Sequence, residues 1–186
     1  IKIIHLDENN NNQNNLPYIG WDTFIQKGDL VENFDINSSL KQSNMNSTAT
    51  IMYTSGTTDN PKGIIFNQTN IITKRFARAL ALPNVNSEDI FLCYLPLFHT
   101  FGRFFELMGS IFWGATYSFA QSPAFNTLLK DFKTINPTIF ISIPKRWVQL
   151  YELIQTKIDI DDDDDVKICE QLSKVTGGQL RLGLSA

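Results

Sequence analysis

The sequence Tyr53-Thr54-Ser55-Gly56-Thr57-Thr58-Asp59-Asn60-Pro61-Lys62-Gly63 combines four Ser and Thr hydroxyls, two glycines and one lysine in a single short stretch. It directly follows residues 49–53, a compact segment typical of a β-strand. Gly56 lets the backbone turn without a Cβ clash, hydroxyl and backbone N–H groups can donate to phosphate oxygens, and Lys62 adds a mobile positive charge. The stretch therefore predicts a loop that binds phosphate.

This loop is not the common nucleotide-binding loop of the GxxxxGK[ST] type. That pattern requires a glycine directly before the lysine, and Pro61 occupies this place. Taken alone, the residues also fit a polar turn that merely joins two strands. Composition leaves both interpretations open.

Strands and helices are predicted to alternate along the rest of the chain. The apolar residues Ile71, Ile72, Phe76 and Leu80 recur at helical spacing and predict a helix over 69–82. Further helices are predicted over 101–113, where Gly114 ends the helix, and from the cap Ser122 and first-turn Pro123 to Pro137. Two more are predicted over 144–154, started by Pro144, and as a short helix after the acidic run. Strands are predicted at 90–95, 115–119, 138–143 and 180–184. This order indicates βαβ crossovers and a largely parallel sheet, an α/β fold.

The first residue, Ile1, and the strand predicted at the last residues indicate an internal piece of a longer domain, truncated at both ends. Residues 1–48 form a lead-in with an Asn-rich loop at 9–15 and a polar linker at 37–47. Residues 49–186 carry the phosphate loop and the βα units. The run of Asp residues at 159–165 lacks the spaced ligands and turn glycine of a calcium loop, and it predicts a solvated loop.

Composition excludes several function classes. The 186 residues carry a net charge of −3, and their Lys and Arg are scattered, so nucleic acid is not an expected partner. No apolar stretch approaches the roughly 20 residues of a spanning helix, and no targeting signal is visible. Cys93 lies in an apolar run and is predicted to be a buried, reduced thiol, so the two cysteines do not indicate a disulfide scaffold.

Three stretches resemble the adenylate-forming (AMP-binding) superfamily, and in particular its long-chain acyl-CoA synthetases. Residues 53–63 are similar to the family's loop Tyr-Thr-Ser-Gly-Thr-Thr-Gly-x-Pro-Lys-Gly. Tyr94-Leu95-Pro96-Leu97-Phe98-His99-Thr100-Phe101-Gly102-Arg103 resembles the Leu-Pro-Leu-x-His element beside the acyl pocket. Gly178-Gln179-Leu180-Arg181-Leu182-Gly183-Leu184-Ser185-Ala186 looks like the strand before the Ser-Gly-Gly-Ala-Pro turn.

The resemblance implies that the full-length protein is an acid–thiol ligase of lipid metabolism, with ATP, Mg²⁺ and CoA, that converts a fatty acid to an acyl adenylate and then a thioester. The residues implied to grip the β- and γ-phosphates of ATP are Thr54, Ser55, Gly56, Thr57, Thr58, Lys62 and Gly63. Lys62 and His99 are the implied catalytic residues, and Thr54 is the implied Mg²⁺ ligand together with a glutamate beyond residue 186. The acyl pocket is implied at Phe98, His99 and Phe101. The resemblance implies a cytoplasmic location or the cytosolic face of an organelle membrane, with peripheral membrane association allowed.

Some side chains keep a structural alternative. His99 between aromatic residues is also typical of a packed core histidine. The aromatic residues of this region can wall an acyl tunnel or simply fill the core; they are Phe98, Phe101, Phe104 and Phe105. Arg103 can form a surface pair with Glu106 at i,i+3 or contact a substrate.

Two rival functions remain. The first is a truncated or degenerate relative that keeps only a phosphate loop, since Asp59 stands where the family has glycine and several family motifs are absent from this piece. The second takes Gly183-Leu184-Ser185 as the start of a hydrolase nucleophile elbow. Hydrolases of that class place their histidine after the serine, whereas both histidines here precede it, which disfavours this second function.

Overall fold

The computed structural model describes residues 3–5, 18–31, 35–54, 60–158 and 165–185. The chain divides into two compact units, residues 1–44 and 45–186. The Asn-rich stretch 9–15 and most of the acidic run, for which solvated loops were predicted, lie outside the described residues.

The first unit contains a two-stranded parallel sheet and two short helices. Strands β1 (Ile3–His5) and β2 (Tyr18–Gly20) pair in parallel, and α1 (Trp21–Asp29) follows directly. Helix α2 (Ile36–Gln42) lies within the segment predicted as a linker, so that prediction is wrong there. The helix forms because the Asp35 carboxylate accepts hydrogen bonds from the Asn37 backbone N–H and the Ser38 hydroxyl, which caps its first turn.

The second unit begins with an antiparallel hairpin of β3 (Thr48–Thr54) and β4 (Lys62–Asn67). Helix α3 (Gln68–Ala81) starts at Asn67, where Asn67 and Asn70 cap each other's backbone N–H groups at 3.0 and 2.8 Å. The helix is confirmed, but its apolar stripe of Ile72, Phe76 and Leu80 is exposed to solvent while Arg75 is buried.

A four-stranded parallel sheet in the order β6-β5-β7-β8 follows, which confirms the predicted α/β fold. Its strands are β5 (Ile90–Cys93), β6 (Thr116–Phe119), β7 (Ile139–Ser142) and β8 (Leu182–Ser185). The helices beside it are a π-helix (Phe101–Leu107) that continues into α4 (Met108–Trp113), then α5 (Phe125–Ile135), α6 (Pro144–Gln155) and α7 (Asp165–Thr176). Gly114 ends α4 at φ +70°, as predicted.

Helix α5 begins later than the sequence predicted. Ser122 was expected to cap the helix, but its hydroxyl accepts a hydrogen bond from the Ala124 N–H at 3.2 Å and closes a short turn instead. The helix starts at Phe125 without a side-chain cap, so the prediction for Ser122 is wrong.

The core lies on both faces of the sheet because successive strand residues point to opposite sides. Phe91, Cys93 and Ile141 pack on one face with aromatic residues of the π-helix and α4. Leu92 and Phe140 pack on the other face with α5. The thiol of Cys93 is buried and free, as predicted.

One polar cluster joins three strands at the edge of this sheet where β5 begins. The buried Asp89 carboxylate accepts hydrogen bonds from the Thr138 hydroxyl at 2.6 Å and the Arg181 Nε at 3.0 Å. These donors and the Asn86 N–H outweigh burial and lower the pKa of Asp89.

None of the helices in the described ranges combines the length and the apolar composition that a bilayer-spanning segment needs.

Candidate functional site

The hairpin brings two of the predicted phosphate ligands together. Thr54 pairs directly with Lys62 across β3 and β4, and Tyr53 pairs with Gly63. Directly opposed residues of an antiparallel pair project to the same face, with Cβ atoms about 5 Å apart. Thr54 and Lys62 are both exposed, so their polar atoms are accessible at the loop end of the hairpin. The four predicted ligands between them, Ser55, Gly56, Thr57 and Thr58, lie outside the described residues.

Side chains two and four residues farther along the same face pack against the rest of the unit and fix the orientation of this end of the hairpin. Met52 lies on the same face of β3 as Thr54 and is only 6% exposed. Phe66 lies on that face of β4, and its ring centroid is 4.9 Å from that of Phe104 on the π-helix. The face that carries Thr54 and Lys62 is therefore anchored to the rest of the unit.

The predicted acyl-pocket segment folds into a tight turn that rests on the π-helix. The His99 N–H donates to the Pro96 carbonyl at 2.9 Å. A Cβ on Gly102 would lie 2.5 Å from the Pro96 carbonyl oxygen and 2.6 Å from that of Leu95, so this close approach requires glycine. π-helical segments are rare and frequently occur at functional sites.

Arg103 connects this turn to the hairpin. Its Nε donates to the Leu97 carbonyl at 2.7 Å, and its Nη1 donates to the Thr50 hydroxyl at 2.8 Å. The i,i+3 spacing predicted a surface pair of Arg103 with Glu106, and a substrate contact was the alternative. The surface pair is wrong, because Glu106 is fully buried while Arg103 faces the hairpin. Thr50 lies 53 residues away, and no local spacing rule predicts this contact.

Glu106 is a buried acid that sequence reasoning placed on the surface. Its side chain is 0% exposed, and no donor from the described part of the chain reaches either carboxylate oxygen with the geometry of a full hydrogen bond. Burial raises the pKa of Glu106 to about 8, and the nearby Leu95 backbone offsets this only in part. The carboxyl group is therefore mostly protonated at neutral pH. Burial, with a further contribution from Glu106, also raises the pKa of Cys93.

The aromatic residues of this region have different environments. Phe98 is 77% exposed, and the exposed His99 ring stacks on Phe101 with centroids 6.2 Å apart. Phe101 is half-buried and stacks in turn on Phe105, which packs against the core. Phe98 and His99 are thus accessible for binding, whereas Phe105 has the structural role that sequence analysis kept as the alternative. The acyl pocket stays a prediction.

The residues at the hairpin end fit part of a magnesium site. Among the described residues, no group of three His, Cys, Asp or Glu side chains is arranged to hold a metal ion. The exposed Thr54 hydroxyl is a hard oxygen donor, and Mg²⁺ is usually held by one or two protein ligands together with water and phosphate oxygens. Thr54 therefore fits a site shared with a bound phosphate.

Comparison with known proteins agrees with this fold. A long-chain-fatty-acid–CoA ligase of Homo sapiens is 30% identical over 144 residues, which are 77% of this chain and 22% of the relative. ATP-bound MatB from Rhodopseudomonas palustris superimposes with a TM-score of 0.62 at 21% identity, over 90% of this chain and 30% of that one. VinN in complex with L-aspartate gives a TM-score of 0.67 at 18% identity, over 97% of this chain and 49% of that one.

The chain spans about a fifth of the length of the curated relatives it matches. The family model described as AMP-binding enzyme matches residues 4–185, nearly the whole chain. The chain therefore belongs to the AMP-binding enzyme family.

Proposed function

We propose that the full-length protein uses ATP to activate a fatty acid as an acyl adenylate and then transfers the acyl group to CoA. The observation that carries the proposal is the direct pairing of Thr54 with Lys62, which holds the two ends of a Ser/Thr/Gly loop together. Family membership supports the adenylation step. The human relative, a long-chain-fatty-acid–CoA ligase, supports the fatty acid and the CoA acceptor.

The loop residues act on the charge of the departing pyrophosphate. When the acid's carboxylate attacks the α-phosphorus, the bond to the β-phosphate oxygen breaks and negative charge grows on pyrophosphate. Lys62 and the hydroxyls and N–H groups of residues 54–58 stabilise this charge more in the transition state than in bound ATP. Bound Mg²⁺ supplies further charge neutralisation, and Thr54 would hold it.

The turn at His99 supplies the acid-binding side of the site. We assign Phe98, His99 and Phe101 to the wall beside the acyl group, because two of them are exposed and the third stacks on His99. Arg103 acts as a positioning residue, since its two hydrogen bonds tie this turn to β3, the strand that ends at Thr54.

Carboxylate-dependent exchange of pyrophosphate into ATP tests the proposal on the full-length protein. We expect exchange with a long-chain fatty acid, and we expect Lys62→Met to reduce its kcat about 10²–10³-fold because one charged donor is lost. The exposed Lys145→Met is a matched control that should keep the wild-type rate. Exchange that does not respond to Lys62→Met would show that the loop does not act on pyrophosphate.

The degenerate relative remains a second candidate because Asp59 replaces the family's glycine and places a carboxylate in a loop that must accept a polyanion. Saturable ATP binding without exchange for any fatty acid tested would support this candidate. A normal exchange rate would reject it.

A further inference from the structure

Arg75 on α3 is a buried cation. Its side chain is 5% exposed, and none of Nε, Nη1 and Nη2 makes a hydrogen bond with any described residue. Burial, together with the positive charge of Arg78, lowers the pKa of Arg75 to about 10, so the guanidinium stays charged at neutral pH. A buried charge that is left unpaired is strongly destabilising. A compensating anion is therefore expected.

No acidic side chain of the described residues supplies that anion. The ion pair found there joins Asp89 to Arg181. Glu106 is buried, but it faces Cys93 and Tyr117 of the sheet, and burial keeps it protonated and neutral. Arg75 instead lies against α4, where a Cβ on Gly109 would be 3.5 Å from Nη1.

Arg75 borders a cavity of about 300 Å³ between α3, β4 and the π-helix. Two more cations, Lys74 and Arg78, line the same cavity, and no acidic residue of the described ranges does. Thr100 adds a hydroxyl, and the ring of Phe66 forms an apolar wall. The volume is at the lower end of the range found for small-molecule sites.

The second arginine is held rigidly at this cavity. Arg78 Nη1 donates to the Phe104 carbonyl at 2.7 Å, and its guanidinium carbon lies 4.5 Å from the centroid of the Phe105 ring. Lys74 and Arg78 are four residues apart and therefore project from the same side of α3. Like charges fixed next to each other repel, and an anion between them would relieve the repulsion.

We propose that this cavity binds a small oxyanion, either a carboxylate or a phosphate group, which neutralises Arg75. The aromatic wall suits a ligand with an apolar part beside its anionic group. The cavity is separate from the phosphate loop, since Phe66 is four residues from Lys62 along β4, about 13 Å at a strand rise of about 3.3 Å per residue. Thr100 places it beside the turn that carries His99. The proposal goes beyond the ligase activity and does not depend on it.

Thermal unfolding and calorimetric titration of the full-length protein test the proposal at constant ionic strength. Hexanoate and inorganic phosphate are the two anionic probes, and 1-hexanol is the neutral control. We expect at least one anion to bind saturably and raise the melting temperature, with hexanol inactive. The more effective probe identifies the source as an organic acid or a phosphate group.

Substitutions then locate the binding. Arg75→Met should weaken the Kd at least 10-fold and, in anion-free buffer, leave the melting temperature equal or higher because an unpaired buried charge is gone. Lys74 is exposed, so Lys74→Met keeps the fold and should weaken binding about 3- to 10-fold. Lys62→Met distinguishes the two sites, since it should impair pyrophosphate exchange and leave this binding unchanged. Lys145→Met is the charge-matched control.

Three results would overturn the proposal. The first is a melting temperature that changes with ionic strength only, with no saturable binding of either anion. The second is unchanged binding in both Arg75→Met and Lys74→Met. The third is a lower melting temperature of Arg75→Met in anion-free buffer, which would show that a carboxylate of the protein already pairs with Arg75. Loss of exchange activity alone would refute the ligase function and leave this site intact.

Discussion

Glu106 should make the stability of the protein fall as the pH rises. The folded state holds the proton of this buried acid up to about pH 8, the raised pKa, whereas the unfolded chain releases it near 4.5. Unfolding therefore releases a proton between these values, and raising the pH favours the unfolded chain. The stabilising contribution is complete below about pH 4.5 and is lost by about pH 8.

The size of the effect follows from the separation of the two pKa values. The separation is about 3.5 units, and each unit corresponds to about 1.4 kcal/mol. Part of the loss of stability occurs below pH 5. Between pH 5 and pH 9, this group therefore lowers the free energy of unfolding of the wild type by about 4 kcal/mol. Glu106→Gln keeps the shape of the side chain and removes the titration. We therefore expect the unfolding free energy of the variant, relative to that of the wild type, to rise by about 4 kcal/mol between pH 5 and pH 9.

Urea unfolding of both proteins at pH 5, 7 and 9 measures this difference. Comparison with the variant cancels the titration of groups that do not interact with Glu106. Cys93 and Tyr117 face the carboxyl group, and burial, the largest cause, raises the pKa of both, so both side chains stay protonated in the folded state up to pH 9. Glu152→Gln on the exposed side of α6 is the matched control, and its unfolding free energy should follow the wild type within about 0.5 kcal/mol. A gap between wild type and Glu106→Gln that stays constant from pH 5 to pH 9 would refute the reasoning.

Four further substitutions follow from the site and the sheet. Gly102→Ala should cost about 3 kcal/mol in urea unfolding because its Cβ would meet backbone carbonyls 2.5 and 2.6 Å away; an unchanged midpoint would contradict this contact. Arg103→Met should lower the unfolding free energy by about 2 kcal/mol through loss of two hydrogen bonds, with partial recovery in Arg103→Lys. Asp89→Asn should cost about 2 kcal/mol because the buried carboxylate loses its charge-assisted hydrogen bonds from Arg181, which is 41% exposed, and a thermal shift near zero would reject this. Asp59→Gly should tighten ATP binding by about 1–2 kcal/mol because a carboxylate near the phosphates is removed, and calorimetry that gives equal Kd values for both forms would count against it.

Much of the fold could be predicted because its signals are local. The runs at 90–95 and 138–143 are apolar and short, and the structure has strands within both. The proline at the start of α6 and the glycine after α4 mark helix ends through their own backbone preferences. Asp35 is a local signal of the same kind for the start of α2, because it caps the first turn. The polar composition of the segment nevertheless led to the prediction of a linker there.

The candidate site was only partly predictable. Thr54 and Lys62 were predicted among seven phosphate ligands, and the hairpin register places these two opposite each other. For Arg103, a surface pair with Glu106 was predicted because the two are charged and three residues apart on a helix, with a substrate contact as the alternative. Their environments depend instead on β3 and on the sheet, which no short-range pattern encodes.

The sequence by itself determined the α/β class and the family, because periodicity, turn chemistry and a long contiguous motif depend on neighbouring residues. Only the tertiary structure decided which charged side chains are buried. Arg75 and Glu106 look like ordinary surface residues in the sequence, and packing of α3 against α4 and of the π-helix against the sheet removes both from water. Burial is a property of surfaces brought together from distant segments, and so is the electrostatic cost that follows from it.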